Sequence, residues 1–258
     1  MRSDPVADAV SALAALDGQR VWSLLVSVFG DLACGKGEAI DGPVLSAIMA
    51  ALDIRPEATR VALHRLRNDG WLTSEKLGRT SRHYLTDHGL EQSAAASPRI
   101  YGSPDQTQKE WVFVMLDPKS PDDRDDMARG GFMYIAPRCY LGAASVEIPA
   151  NALRLSGSDA PDWLRDQITP DDLVAGYAAL YDILKRLDRD LPKTELLSPL
   201  QSAVLRTLIV HNWRRLVLRH PDLPAALYPN RWRGQDCRVL VNALLARINR
   251  PDLRDIVS

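Results

Sequence analysis

Cysteine is scarce in this chain: Cys34, Cys139 and Cys237 are the three in 258 residues, and they lie about a hundred positions apart. No C-x-x-C pair occurs and no histidine stands at ligand spacing, so neither a disulfide framework nor a metal site is expected. Cys139 and Cys237 are read as small core residues. Long apolar runs are missing too. None approaches the roughly 18 to 20 residues that span a bilayer, and the opening MRSDPVADAV has no signal-peptide core, so a cytoplasmic chain without a membrane partner is expected. There is no P-loop, G-x-G-x-x-G, G-x-S-x-G or H-E-x-x-H, and RGGF at 129–132 has no phosphate-binding pattern after it. No cofactor and no enzyme activity are predicted.

What is present is ordinary in bulk: 46% apolar residues, 25% charged residues and a net charge of −1. Against that neutral background one stretch stands out. Residues 55–86 carry seven Lys or Arg and three Asp or Glu, a local surplus of four positive charges. The segment RPEATRVALHRLRNDGWL predicts a helix over 55–68, with Pro56 in the first turn and Gly70 as a left-handed cap. Ala58, Ala62 and Leu66 share one stripe, with Leu63 at its margin. Arg60, His64, Arg67 and Asn68 gather on the other side.

Beyond Gly70, residues 71–76 and 80–86 read as a hairpin around Leu-Gly-Arg. Upstream, 20–33 and 42–54 have helical periodicity, and Asp41 is placed to cap the second. Helix, helix, basic helix and basic hairpin is the order of a winged helix-turn-helix, whose third helix enters the major groove while the wing touches the flanking backbone. Double-stranded DNA is the predicted partner. Arg60, His64 and Arg67 are the leading contacts and Arg55 opens the same helix. Arg65, on its flank, suits DNA or an internal ion pair equally. Lys76, Arg79 and Arg82 on the wing suit phosphate, which positions without reading sequence. Trp71 is expected to anchor the wing in the core.

Composition shifts at 91–108 and again at 156–163, both read as loop-like passages. Between them EWVFVML predicts a strand, PDDRDDMARG a short helix, and FMYIAPRCYLG two short strands broken at Pro137, which together make a small α+β module with an antiparallel sheet. Beyond residue 168 three helices are predicted, one opening at Pro170, one over 198–220 and one over 235–248. The expected fold class is α+β, with parts at 1–97, 98–166 and 167–258.

The segments FGDLA, ATRVALHRLRNDGWL, LGRTSRHYLTDHG, RIY and HPDLPAALYPNRWRG resemble the PaaX-type repressors, named for the phenylacetate degradation operon. The resemblance implies a dimeric, cytoplasmic repressor of an aromatic-acid catabolic operon with an N-terminal winged helix-turn-helix, a Cas2-like or ferredoxin-like middle domain and a helical C-terminal domain. It implies an aryl-acyl-CoA effector such as phenylacetyl-CoA. The chain departs from the family pattern at His220, where Asp is usual, and at Trp232-Arg233-Gly234, where Trp-Pro-Gly is usual. With that effector in view, the acid-free stretch 205–220 offers Arg206, Arg214, Arg215 and Arg219 for nucleotide phosphates and Trp213 or Trp232 for the adenine or acyl group. The favoured alternative is that the same arginines pair with acids such as Asp182, Asp188 and Asp190 of the preceding helix at a domain or dimer interface.

Two other functions compete. A Cas2-like, metal-dependent nuclease would use Asp117 at the end of the first middle strand with Asp122 or Asp123, although Asp before Pro118 is also ordinary turn chemistry. A winged helix can also serve as a protein-interaction module. Cations on both helix and wing favour DNA.

Overall fold

The computed structural model describes residues 4–16, 20–103, 110–191 and 197–257. The helices and hairpin expected between residues 20 and 86 are present as α2 Val21–Leu32, α3 Gly42–Ala51, α4 Pro56–Asn68, β2 Leu72–Leu77 and β3 Thr80–Leu85. α3 stops three residues short of the expected 54, because Asp53 takes a left-handed φ of 56° that a continuing helix of L-residues does not tolerate. Two elements here carried no sequence signal that was read. α1 Pro5–Ala14 is capped by Asp4, whose side chain accepts from the Val6 amide at 2.9 Å. β1 Ala39–Asp41 pairs antiparallel with β3, giving the strand order β1-β3-β2.

The passage at 91–108 is not a loop over most of its length. α5 Asp87–Tyr101 runs through it, with Pro98 inside the helix; residues 104–108 lie outside the described residues. Thr86 starts this helix by accepting from the Gly89 amide at 3.1 Å, Ala94–Ala96 favour helix, and buried Ile100 supplies the apolar contact that polar composition hid.

The middle sheet has the order β5-β6-β4-β7, all antiparallel, from β4 Trp111–Met115, β5 Met133–Ala136, β6 Cys139–Ala143 and β7 Leu153–Gly157. α6 Arg124–Arg129 follows β4, and α7 Asp162–Ile168 follows β7. The passage at 156–163 therefore holds the end of a strand and the start of a helix. Val112, Val114 and Tyr140 pack on one face of the sheet with Met127 and Phe132. On the other, Trp111, Phe113 and Leu141 meet Leu164, Ile168, Leu223 and Leu227.

The three predicted C-terminal helices are α8 Asp171–Asp190, α9 Pro199–Val217 and α10 Gly234–Arg247, followed by a single turn of 3-10 helix at Leu253–Ile256. One buried cluster joins them to α1–α5: Leu13, Leu25, Phe29 and Ile48 belong to the same core as Tyr177, Leu205, Trp213 and Val241. α9 is the axis of this core, contacting α1, α2, α3, α5, α8 and α10. α2 and α9 are buried on nearly every side, α9 even with Arg206, Thr207, His211 and Asn212 inside, so the core surrounds them. No helix among the described residues is long and apolar enough to cross a membrane.

Candidate nucleic-acid interface

α4 keeps its stripe as predicted, with Ala62, Leu63 and Leu66 buried and Arg60, His64, Arg67 and Asn68 exposed. Its end is a Schellman motif. Gly70 has a φ of +72°, the Gly70 amide donates to Arg67 O at 3.1 Å and the Trp71 amide to Leu66 O at 2.8 Å, which satisfies two otherwise orphaned carbonyls and reverses the chain in one residue. Trp71, half-buried, packs on the core and meets His88 edge-on at 5.8 Å. Thr86 donates to Gly70 O and its amide to Trp71 O. The basic helix and the hairpin therefore leave the core from one junction.

Between α3, α4 and the hairpin lies an open groove of about 700 Å³, and Arg60, His64, Arg67 and Arg79 all line it. Four of the eight expected DNA contacts are brought together here, three from the helix and one from the hairpin turn. Arg60 pairs with Glu57 at 3.2 Å with both side chains more than 70% exposed, a contact that solvent weakens and a phosphate can displace. Arg67 Nη1 reaches Ser74 Oγ at 3.5 Å, and Ser74 Oγ lies 2.8 Å from His83 Nδ1. Ser74 and His83 thus tie the helix to the hairpin, a link that sequence reading missed; its trace is the alternation in β3 that turns His83 inward with Leu85. Burial, then the Arg67 cation, lowers the pKa of His83.

The other four sit elsewhere. Arg55 is exposed at the N-cap of α4 and Lys76 on β2. Arg65 lies on the opposite flank, its guanidinium 4.8 Å from the Trp22 ring and 3.5 Å from Asp69, which is the internal-pair alternative. Arg82 is bound to Asp41 across β1 and β3, with Nε–Oδ1 at 2.6 Å and Nη2–Oδ2 at 3.0 Å. This corrects one expectation, since Asp41 makes no side-chain cap for α3, and it shows Arg82 tying β3 to β1. The hydrogen bond from Arg82 keeps the Asp41 carboxyl below its ordinary pKa.

The arginines of the stretch 205–220 make contacts within the chain. Arg206 is buried, gives two 2.8 Å hydrogen bonds to Asp31 of α2, and donates to Leu245 O and Ile248 O. Arg214 is half-buried against Ser23, donating to its Oγ at 2.8 Å. Arg215 is half-buried beside it, and Arg219 pairs with Asp172 at 2.7 Å. The partners expected as the alternative are engaged elsewhere, Asp188 by Arg247 and Asp190 by Arg189. Trp213 and Trp232 line one pocket, although the Trp213 ring is 1% exposed and its Nε1 donates to Ile100 O at 2.9 Å.

Asp117 behaves as turn chemistry. Its Oδ1 accepts from the Lys119 amide at 2.8 Å, while Asp122 accepts from the Tyr140 hydroxyl. Among the described residues no group of three or more His, Cys, Asp or Glu could hold a metal ion. The three cysteines are free; Cys237 is buried, and Cys139 is half-buried, not fully in the core.

Residues 20–89 match the family described as "PaaX-like protein", and residues 169–254 match "PaaX-like protein C-terminal domain". Together they take in more than half of the chain. The chain belongs to the PaaX family. It is 24% identical over 257 residues to the "Transcriptional repressor PaaX" of Escherichia coli (strain K12), covering 88% of this chain and 79% of that one. The uncharacterized protein Rv0674 from Mycobacterium tuberculosis superposes with a TM-score of 0.49 at 21% identity, covering 88% of this chain and 96% of that one. Of the two family matches, the N-terminal one contains α4, the hairpin and all eight expected DNA contacts.

Proposed function

We propose that this protein is a transcriptional repressor that binds duplex operator DNA as a homodimer. In this reading α2–α4 with β2 and β3 act as a winged helix-turn-helix, the sheet of 110–157 is a Cas2-like middle domain, and α8–α10 form a helical C-terminal domain. The regulated genes are an aromatic-acid catabolic operon of the phenylacetate type, and an aryl-acyl-CoA such as phenylacetyl-CoA releases the repressor. The observation that carries it is the groove where Arg60, His64 and Arg67 of the helix face Arg79 of the hairpin turn. A guanidinium matches guanine O6/N7 or a phosphate through two parallel hydrogen bonds, and two elements diverging from one junction can meet groove and backbone of the same duplex.

The test is a fluorescence-anisotropy titration with DNA from upstream of the gene and its neighbours, repeated at several salt concentrations. Specific binding should weaken steeply with salt, because each neutralised phosphate contributes about −0.9 to the slope of log K against log salt. Two winged helices should contact half-sites about one helical turn apart, roughly 34 Å, or a multiple of it. Salt-independent affinity, or a monomer by light scattering on the operator, would refute the reading.

A further inference from the structure

We infer that the pocket walled by Tyr177, Trp213, Tyr228 and Trp232 and edged by Arg238 binds a planar aromatic ring carrying an acyl or carboxylate oxygen, and that filling it acts on α5. This rests on the reading above of a ligand-responsive repressor, and it places the ligand where that reading had no site.

The pocket has a volume of about 240 Å³. A 150 Å³ apolar cavity takes up benzene, so a ring with a short acyl arm fits, whereas a coenzyme A nucleotide must remain outside. The walls are held in place before any ligand arrives. Trp232 stacks on Tyr228 at 4.3 Å with planes 3° apart, and Tyr177 meets Trp232 edge-on at 4.5 Å. His220 fixes both phenols, with Tyr177 Oη 2.7 Å from its Nε2 and Tyr228 Oη 3.2 Å from its Nδ1. Rings arranged this way present faces and edges suited to another ring.

The charge at the rim favours an anion. Arg238 donates to Asp222 at 2.8 Å and Arg99 approaches the same carboxylate at 4.0 Å; their side chains are 12% and 28% exposed, and Asp222 is 52% exposed. Two largely buried guanidinium groups thus share one carboxylate, and Arg99 Nε is buried without a hydrogen-bond partner. Of the two, Arg238 lines the pocket together with Asp222, so a carboxylate or thioester oxygen at this rim would accept from Arg238 in exchange for the partly exposed Asp222 carboxylate.

The residues of the pocket also hold the end of α5. Trp213 Nε1 donates to Ile100 O at 2.9 Å, Arg238 Nη1 to Arg99 O at 3.2 Å, and Arg99 donates back to Val217 O and His220 O. α5 starts at Thr86, the residue that grips Gly70 and Trp71 under the hairpin. A ligand oxygen that draws Arg238 away from Arg99 O therefore acts on the far end of the helix that seats the wing. Ligand and DNA then oppose each other if the ligand prefers the displaced α5.

The experiment uses the full chain and follows tryptophan fluorescence and calorimetry with phenylacetate, phenylacetyl-CoA, coenzyme A and cyclohexylacetate, each with and without operator DNA. Ala225 lines the pocket from an exposed position, so Ala225→Trp fills it without altering the core; Arg238→Met removes the rim cation. Binding by phenylacetate or its thioester, with coenzyme A and cyclohexylacetate at least about tenfold weaker, is expected. The free acid binding as well as the thioester would assign recognition to ring and carboxylate alone. Ala225→Trp should keep its melting temperature and DNA affinity yet lose ligand binding and the 5- to 150-fold response of DNA affinity typical of about 1–3 kcal/mol coupling. Coenzyme A binding as tightly as the thioester, no aromatic probe binding at all, or Ala225→Trp and Arg238→Met both binding as wild type would overturn the site. If aromatic probes bind as described while no DNA does at any salt, the repressor reading fails and the pocket stands.

Discussion

A residue's role here depends on what its charged end meets. Arg206 and Arg60 look alike in sequence, yet one is locked to Asp31 in the core and the other faces an open groove. Removing one partner of a buried pair leaves an uncompensated charge at about 3–5 kcal/mol. Asp31→Ala should cost that much in urea denaturation, whereas Asp31→Leu with Arg206→Met should recover most of it. At the interface, Arg60→Ala should relax operator specificity by the ~1–3 kcal/mol of one bidentate base contact. Arg79→Ala should weaken specific and random DNA alike and lower the salt slope by about one. Arg82→Ala should disturb the hairpin more than the DNA, since its guanidinium belongs to Asp41; competition anisotropy and hydrogen exchange of β1 separate these effects.

At the scale of elements, the junction after α4 fixes how helix and hairpin sit relative to each other. Gly70 at φ +72° cannot gain a Cβ without the left-handed penalty of about 1–2 kcal/mol, so Gly70→Ala should lower the thermal midpoint. A larger geometric effect is expected one element later. A Cβ on Gly89 would stand 2.4 Å from Trp71 O, forcing α5 away from the base of the hairpin. Gly89→Ala should therefore reduce operator affinity even where circular dichroism still reports native helix content, and unchanged affinity would show that the seating of the wing does not matter for DNA.

At the scale of the whole molecule, the core shared by α1–α5 and α8–α10 makes stability a joint property of parts that look separable in sequence. Two histidines buried in it give stability a pH dependence. Burial is the leading cause that holds His211 down to about 3 and His220 to about 4, against an ordinary 6.5. Between those values the unfolded chain binds protons that the folded chain refuses, so the contribution is complete above about pH 6.5 and is lost as pH falls through 4 toward 3. Urea midpoints should drop steadily from pH 7 to 4. His211→Asn should flatten part of that slope whatever it does to the stability at pH 7, and an unchanged slope would mean that His211 is not buried neutral.

Much of the basic helix and hairpin was legible because their signals are local. Pro56, the apolar spacing of Ala62 and Leu66, Gly70 and the two-residue turn at Gly78-Arg79 act within one or two turns of chain, where backbone sterics and periodicity decide the outcome. The polar composition of 91–103 misled for the opposite reason: Ile100 finds its cover on α9, more than a hundred residues away. The three strands of the first sheet were only two in the sequence, since nothing in Ala39–Asp41 announces that it will pair with β3. The arginines divided in the same way. Which of them pair within the chain was decided by acids far off in sequence, Asp31 for Arg206, Asp172 for Arg219 and Asp41 for Arg82. A guanidinium answers to the nearest carboxylate in space, so spacing along the chain located the basic helix and hairpin while only the packed fold determined which of their cations were left unpaired by distant acids.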